Sequence, residues 1–273
     1  LEVPSVRRSR SQQDQEPDVD PELAGLREKM RRHPAHQLPD REAHVRAAER
    51  YLRIERDNTQ IQQKVAAATN SLARTFDRIV LLLSERGFIA EQDDGDLKVT
   101  DDGRLLARIY SESDLLVAEC LRGGLWDGLN SAELAAVVSA VLFESRGDGA
   151  GVPPGAEQTT QAVRQALAKT RRLWTDIRTD ETRHRLPISR EPDAGFVAAV
   201  HRWATTGDLT AALLASDNGN GNALSAGDFV RWCRQVLDLL DQVRLAAPSP
   251  SLRSTAKRAI NDVRRGVVAI DAM

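Results

Sequence analysis

Along almost the whole chain apolar positions recur with a helical period, most sharply over 224–245, LSAGDFVRWCRQVLDLLDQVRL. At about 100° per residue, Phe229, Val230, Trp232, Cys233, Val236, Leu237, Leu239, Leu240 and Val243 share one arc. Arg231, Arg234, Gln235, Asp238, Asp241 and Gln242 take the other. Ser225 followed by Asp228 predicts a capped start. The result is a helix with a wide buried face and a narrow polar strip, Trp232 on the border. Such a strip suits a solvated surface. It also suits contact with phosphates and bases, because guanidinium forks fit phosphate oxygens and planar groups stack on bases. Periodicity does not choose between them.

The same period predicts a short helix over 22–32 and a proline-punctuated turn, HPAHQLPD, over 33–40. Asp40 is then expected to cap a helix to about 69, striped by Val45, Ala48, Leu52, Ile61, Val65 and Ala68. These two helices suggest a stalk-like hairpin over 22–70. A new helix is expected from Ser71, stopped by Gly87. DDGDLKVT then reads as a turn and strand, and Thr100 as the cap of DDGRLLARI. Helix, small hairpin and helix make 71–110 a winged-helix-like segment. Helices follow over 113–122, 131–146 with an N-cap at Ser131, 158–185 ended by Pro187, 192–205, 208–215 and 251–270. GDGAGVPPG (147–155) and SDNGNGN (216–222) read as a loop and a turn. Residues 1–21, aperiodic and proline-bearing, read as a flexible linker. No repeat of fixed period is found. The predicted fold is mainly α, a helical bundle over 111–273 preceded by the stalk and the winged-helix-like segment with its β-hairpin.

Composition narrows this only in part. A hydrophobic content of 41% supports a core, and aromatics at 4% leave its packing to aliphatic residues. A net charge of −2 and a pI near 6.3 provide no global footprint for nucleic acid, so any such contact must be local. The basic residues are mostly arginine, which suits phosphate recognition but also follows from genomic base composition. Cys120 and Cys233, far apart and each in an apolar pattern, suggest free thiols in a reducing cytoplasm. The longest apolar run, 79–83, is too short to span a bilayer, and no signal peptide opens the chain. A start at Leu1 rather than Met suggests a piece of a longer protein.

Candidates for catalytic chemistry are few. A phosphate-binding loop needs glycines before Lys-Ser/Thr, whereas Lys169-Thr170 lies mid-helix after Ala168. DETRH (180–184) has the look of an acidic helicase motif but sits on a helix rather than after a buried strand. His33 and His36 are spaced like metal ligands, with His44 nearby, but no Cys or carboxylate completes the set in that turn. His201 reads as a packed or surface histidine rather than a base. No elbow or dyad places a nucleophile. The expectation is that this piece is not catalytic alone and holds no metal or cofactor.

Several stretches in order resemble one family. They are SLARTFDRIVLLLSERGFI, LLVAECLRGGLWDGLNSAELAAVVSAVLFESR, AAVHRWATTGDL, SAGDFVRWCRQVLDLLDQVR and RSTAKRAINDVRRGVVAID. Together they resemble the DSHCT domain, the C-terminal helical region of exosome-type DExH-box helicases, and most of all its actinobacterial members. The likeness covers roughly 110–273, while 22–109 resemble the stalk base and winged-helix segment that precede that domain in the family. The resemblance implies a parent that is an ATP-dependent helicase. Two RecA-like motor domains of the same polypeptide, absent here, would hold ATP and Mg. The helical domain would close over single-stranded RNA, or DNA, and a ratchet helix over 227–244 would touch the strand. Arg231, Arg234 and Gln235 carry over as nucleic-acid-binding positions, with Glu144, at the end of the VVSAVLFE helix, as a facing polar partner. Trp232 is either a stacking surface or a core anchor. Some relatives carry a basic residue where Gln235 stands, which removes an ionic contribution. The stalk is short, without the β-rich head of eukaryotic relatives, which bears on docking of an RNA-decay partner. A cytoplasmic protein without a membrane partner is expected. The competing expectation is a structural or protein-docking helical domain without strand contact.

Overall fold

The computed structural model describes residues 21–92, 95–145, 151, 153–216 and 224–270. The linker expected over 1–21, most of the 147–155 loop and the 216–222 turn therefore lie outside the described residues or at their edge. The architecture is mainly α. The only strands among the described residues form one two-stranded antiparallel hairpin. The chain forms two compact units, Leu1–Asn70 and Ser71–Met273.

The first unit holds α1 (Pro21–Arg32), a 3-10 turn over Pro34–Gln37, and the opening part of α2 (Arg41–Glu85). His33 Nδ1 accepts the Ala35 N–H at 3.2 Å and caps the turn. The separate helix expected from Ser71 does not exist, because α2 runs unbroken for 45 residues. No Gly or Pro stands between Arg41 and Glu85, and the shift of stripe near 57–59 rotates the apolar face without costing a backbone hydrogen bond. Leu52, Ile61 and Val65 on this helix are exposed.

The second unit begins at Ser71, within α2. Gly87 (φ 78°) follows the helix, and the Phe88 N–H reaches back to the Leu83 carbonyl at 2.8 Å, the bond that closes a Schellman turn. β1 (Ile89–Glu91) pairs antiparallel with β2 (Leu97–Val99), Ile89 opposite Val99. Thr100 Oγ1 accepts the Gly103 N–H at 3.1 Å and starts α3 (Asp101–Leu106). A Cβ on Gly103 would stand 2.2 Å from the Phe88 carbonyl oxygen, so only glycine lets α3 lie this close to the hairpin. Helix, hairpin and helix thus occur in the predicted order.

α4 (Asp114–Arg122) and α5 (Ser131–Ala140) follow. α5 is buried along every face but its first residue, which makes it the axis of the bundle. Around it pack α6 (Gln161–Arg183), α7 (Val197–Thr206), α9 (Ala226–Ala246) and α10 (Pro250–Val263). α8 (Leu209–Ala215) packs on α7, and α11 (Gly266–Ala269) on α9.

Five expected boundaries are corrected. The N-cap of α5 is Asn130, not Ser131. Its Oδ1 accepts the Glu133 N–H at 3.0 Å while Glu133 Oε2 accepts the Asn130 N–H at 2.8 Å, a reciprocal box. α5 ends at Ala140 rather than 146, since Arg190 donates to the Leu142 carbonyl at 2.6 Å and the Asp193 N–H to that of Ala140 at 2.7 Å. α6 starts at Gln161 under a Thr160 cap and stops at Arg183, before Pro187 exerts any effect. The closing helix breaks after Val263, whose carbonyl accepts the Trp203 Nε1–H at 2.9 Å.

Candidate nucleic-acid interface

Packing sets the roll of α9. Ser225 Oγ accepts the Asp228 N–H at 3.1 Å and opens the helix. Phe229, Cys233, Val236, Leu237, Leu239, Leu240 and Val243 are then buried. An aromatic chain pins the N-terminal half. Phe229 meets Trp203 and Phe196 edge-on, each at 5.6 Å, and Phe196 stacks on Phe143 at 5.1 Å. Trp232 joins the end of this chain, edge to face with Phe143 at 5.0 Å, and is itself only half-buried. It is therefore anchored along one edge and open along another.

With the roll so fixed, Arg231, Arg234, Gln235 and Asp238 are all exposed. Arg231 lies over the Trp232 ring at 5.4 Å and pairs with Asp228 at 3.3 Å, its side chain 61% exposed. Arg234 Nη2 donates to the Ile270 carbonyl at 2.7 Å, so one of its donors is already engaged. Trp232, Gln235 and Asp238 form one wall of an open cleft of about 450 Å³. Glu144 and Arg190 line it too, as do Tyr110, Ser111 and Glu112.

The structure thus places Trp232, Gln235 and Glu144 on one cleft, with Arg231 and Arg234 outside its lining. Glu144 does not end a helix as expected. It lies four residues past α5, on a segment held from two sides. Arg190 donates to Glu144 Oε2 at 3.3 Å as well as to the Leu142 carbonyl. Asp193, 4% exposed, accepts from the Ser145 N–H at 2.6 Å, from Ser145 Oγ at 3.0 Å and from the N–H groups of Gly151 and Gly195, each at 2.8 Å. A buried carboxylate with four donors is a strong positioning device.

Sequence reasoning missed Arg190, Asp193 and Tyr110 at this site. Gln242, assigned only to the polar arc, makes a specific bond. Its Oε1 accepts the Tyr110 N–H at 2.6 Å, across 132 positions of sequence. No local pattern marks such a pair. The cleft carries three carboxylates, Glu112, Glu144 and Asp238, against the single guanidinium of Arg190.

Other candidate chemistry falls away on placement. Thr170 is buried and its hydroxyl accepts the Trp126 Nε1–H at 3.1 Å, so Lys169-Thr170 cannot cradle the phosphates of a nucleotide. The ATP and Mg implied by the family resemblance do not fit this pair of residues. His33 Nδ1 is taken by the Ala35 N–H and His36 Nδ1 by Arg41. No group of three or more His, Cys, Asp or Glu is placed for a metal among the described residues. Burial pushes the Cys120 thiol up to about 12 and raises that of Cys233, so neither is a nucleophile at neutral pH. Burial also lowers the pKa of His201. Among the described residues no helix is long and apolar enough to cross a membrane.

Comparison with known proteins agrees with this architecture. The model of the DSHCT (NUC185) domain matches residues 96–271. The chain is 67% identical over 258 residues to the protein named "Probable helicase HelY" of Mycobacterium tuberculosis. It is 68% identical over 255 residues to the protein of the same name from Mycobacterium leprae. Each match covers 93% of this chain and 28% of the relative, so the chain spans little more than a quarter of those proteins. Since the matched residues take in β2, the bundle and the α9 cleft, the chain belongs to the DSHCT (NUC185) domain family.

Proposed function

We propose that this region is the accessory lid of an ATP-dependent DExH-box helicase, and that α9 is the ratchet helix against which a single strand, RNA in preference to DNA, passes. One observation supports this reading above the others. Arg231, Arg234, Gln235 and Asp238 on the polar strip of α9 are exposed, and Trp232 and Gln235 wall an open cleft that Glu144 also lines. The relatives carry the word helicase in their names and are more than three times as long, which leaves ample chain for motor domains. In this reading ATP and Mg are held there. Residues of this region hold and orient the strand: Arg231 and Arg234 pair with phosphates, Trp232 offers a ring edge, and Gln235 bonds a base edge or a phosphate oxygen. The stalk over 22–70 would meet an RNA-decay partner, and the protein would work in the cytoplasm.

The test is Arg231→Ala with Arg234→Ala in the full-length helicase. Two lost phosphate contacts on a single strand reduce the salt slope of binding by about 1.4. Strand-stimulated ATPase and unwinding fall with it. Unchanged unwinding and an unchanged slope refute strand contact.

A second reading has its own support. Arg231 is paired with Asp228, Arg234 is tied to the Ile270 carbonyl, and the charged side chains lining the cleft are mainly carboxylates. These suit a structural or protein-docking domain. Strand crosslinking to 231–235 in the intact enzyme separates the two, since a docking domain yields none.

A further inference from the structure

Tyr110 is the most exposed large apolar side chain among the described residues of the second unit, at 82%. Exposed aromatics on loose loops are unremarkable, but Tyr110 is not loose. Its N–H is held by Gln242 at 2.6 Å, and two residues earlier Arg108 Nη1 donates to the Leu245 carbonyl at 3.2 Å. Both bonds tie the short link between α3 and α4 to the last turns of α9. The ring also stands between two open hollows. One is the α9 cleft, and the other, of about 310 Å³, is lined by Arg108, Tyr110 and Leu245. A rigidly based ring with space on both sides suits stacking of a planar group, which costs little entropy where the backbone is already fixed.

We propose that Tyr110 is a base-stacking platform for the same strand, at the opposite end of the cleft from Trp232, with bases turned into the cleft and phosphates outside its lining, where Arg231 and Arg234 lie. This rests on the strand-contact reading above. Ten residues of α9 separate Trp232 from Gln242, about 15 Å of rise, which accommodates roughly four nucleotides at stacked spacing. The lining decides which side of the strand faces in. Glu112, Glu144 and Asp238 repel phosphate, and the one guanidinium, Arg190, is already spent on Glu144 and the Leu142 carbonyl. Carboxylates instead accept hydrogen bonds from exocyclic amines, as acidic side chains do from cytosine N4. The cleft therefore favours cytosine or adenine over uracil, which has no such amine.

The experiment uses the full-length protein and fluorescently labelled 12-nucleotide strands of A, C or U, each also made with one photoreactive base. Crosslinked peptides are expected to contain Tyr110 as well as 231–235. Tyr110→Ala weakens binding of all three strands on the order of ten-fold, the loss of one base stack, and Tyr110→Phe restores it. Asp238→Asn leaves the stack but narrows the preference for C over U. Crosslinks at 231–235 without any at Tyr110, or an unchanged affinity for Tyr110→Ala, overturn this inference and leave strand contact standing. A Tyr110 ring covered by the rest of the polypeptide, so that oxidative footprinting finds it protected before any strand is added, overturns it as well. Absence of crosslinks at both places overturns both readings.

Discussion

Removing the Asp193 carboxylate tests how the cleft wall is held. The group is almost wholly buried and accepts four hydrogen bonds, three of them from backbone N–H groups of Ser145, Gly151 and Gly195. Bonds to a charged acceptor are worth about 1.5–3 kcal/mol each, but the values do not add. Ser145 and Gly151 are only half-buried, so water can replace part of what they lose. Gly195 is buried and its N–H is stranded outright. Asp193→Ala should therefore cost about 3–5 kcal/mol. For a unit of this size that lowers Tm by roughly 6–20 °C in calorimetry. Asp193→Asn retains one acceptor oxygen, but turns an amide against one of the N–H groups, and should cost about half as much. Because Ser145 is chained to Glu144 and, two residues back, to Phe143, strand crosslinking at Trp232 should fall in both variants even at temperatures where they remain folded. A loss below about 1 kcal/mol for Ala, or an Asn variant as damaged as Ala, would show that the carboxylate is not organising this segment.

Arg86 bridges Glu119 at 2.8 Å and Asp180 at 2.6 Å at the base of α2. Each carboxylate keeps a second guanidinium, Arg122 or Arg183, so Arg86→Ala should cost about 2–3 kcal/mol by denaturant titration rather than the larger loss of an isolated buried pair. Burial tends to raise the Asp180 pKa, but Arg183 and Arg86 outweigh it and hold the carboxyl below its ordinary 3.8. The unfolded chain then binds the proton more readily. Stability from this group is complete above pH 3.8 and is lost as pH falls through the folded value, and acid titration of Asp180→Asn should lack that component. His201, lowered mainly by burial, adds a loss of stability as pH falls below 6.5, which His201→Gln should abolish in a pH series of melting curves. Cys120 and Cys233 should react with a thiol reagent at pH 8 only at the rate of unfolding, and fast labelling of the native protein would contradict their burial.

How far all this was legible varies with the range of the interaction. The α9 helix was readable to within a residue or two because its period and its cap lie inside the segment itself. The same holds for Thr100 and for the stop at Gly87. The false break at Ser71 came from treating a change of apolar stripe as a change of element, although the backbone there has no breaker. The ends of α5 and α10 were unreadable for the opposite reason. Carbonyls near them are taken by Arg190 and Trp203, which arrive from other parts of the chain. Of the site residues, Trp232 and Gln235 could be placed on a face from the wheel. Glu144 came through the family likeness alone, and on a loop rather than a helix.

By itself, then, the order of side chains determined an α-helical chain, the polar and apolar halves of α9, and the helix ends at Gly87, Thr100 and Ser225, because helix formation and amphipathic burial are decided by neighbours within about four residues. Tertiary structure decided that a cleft exists, that it is acidic, and that Tyr110 stands at one end of it. Those properties depend on bonds such as Gln242 to Tyr110, between groups whose separation along the chain carries no pattern.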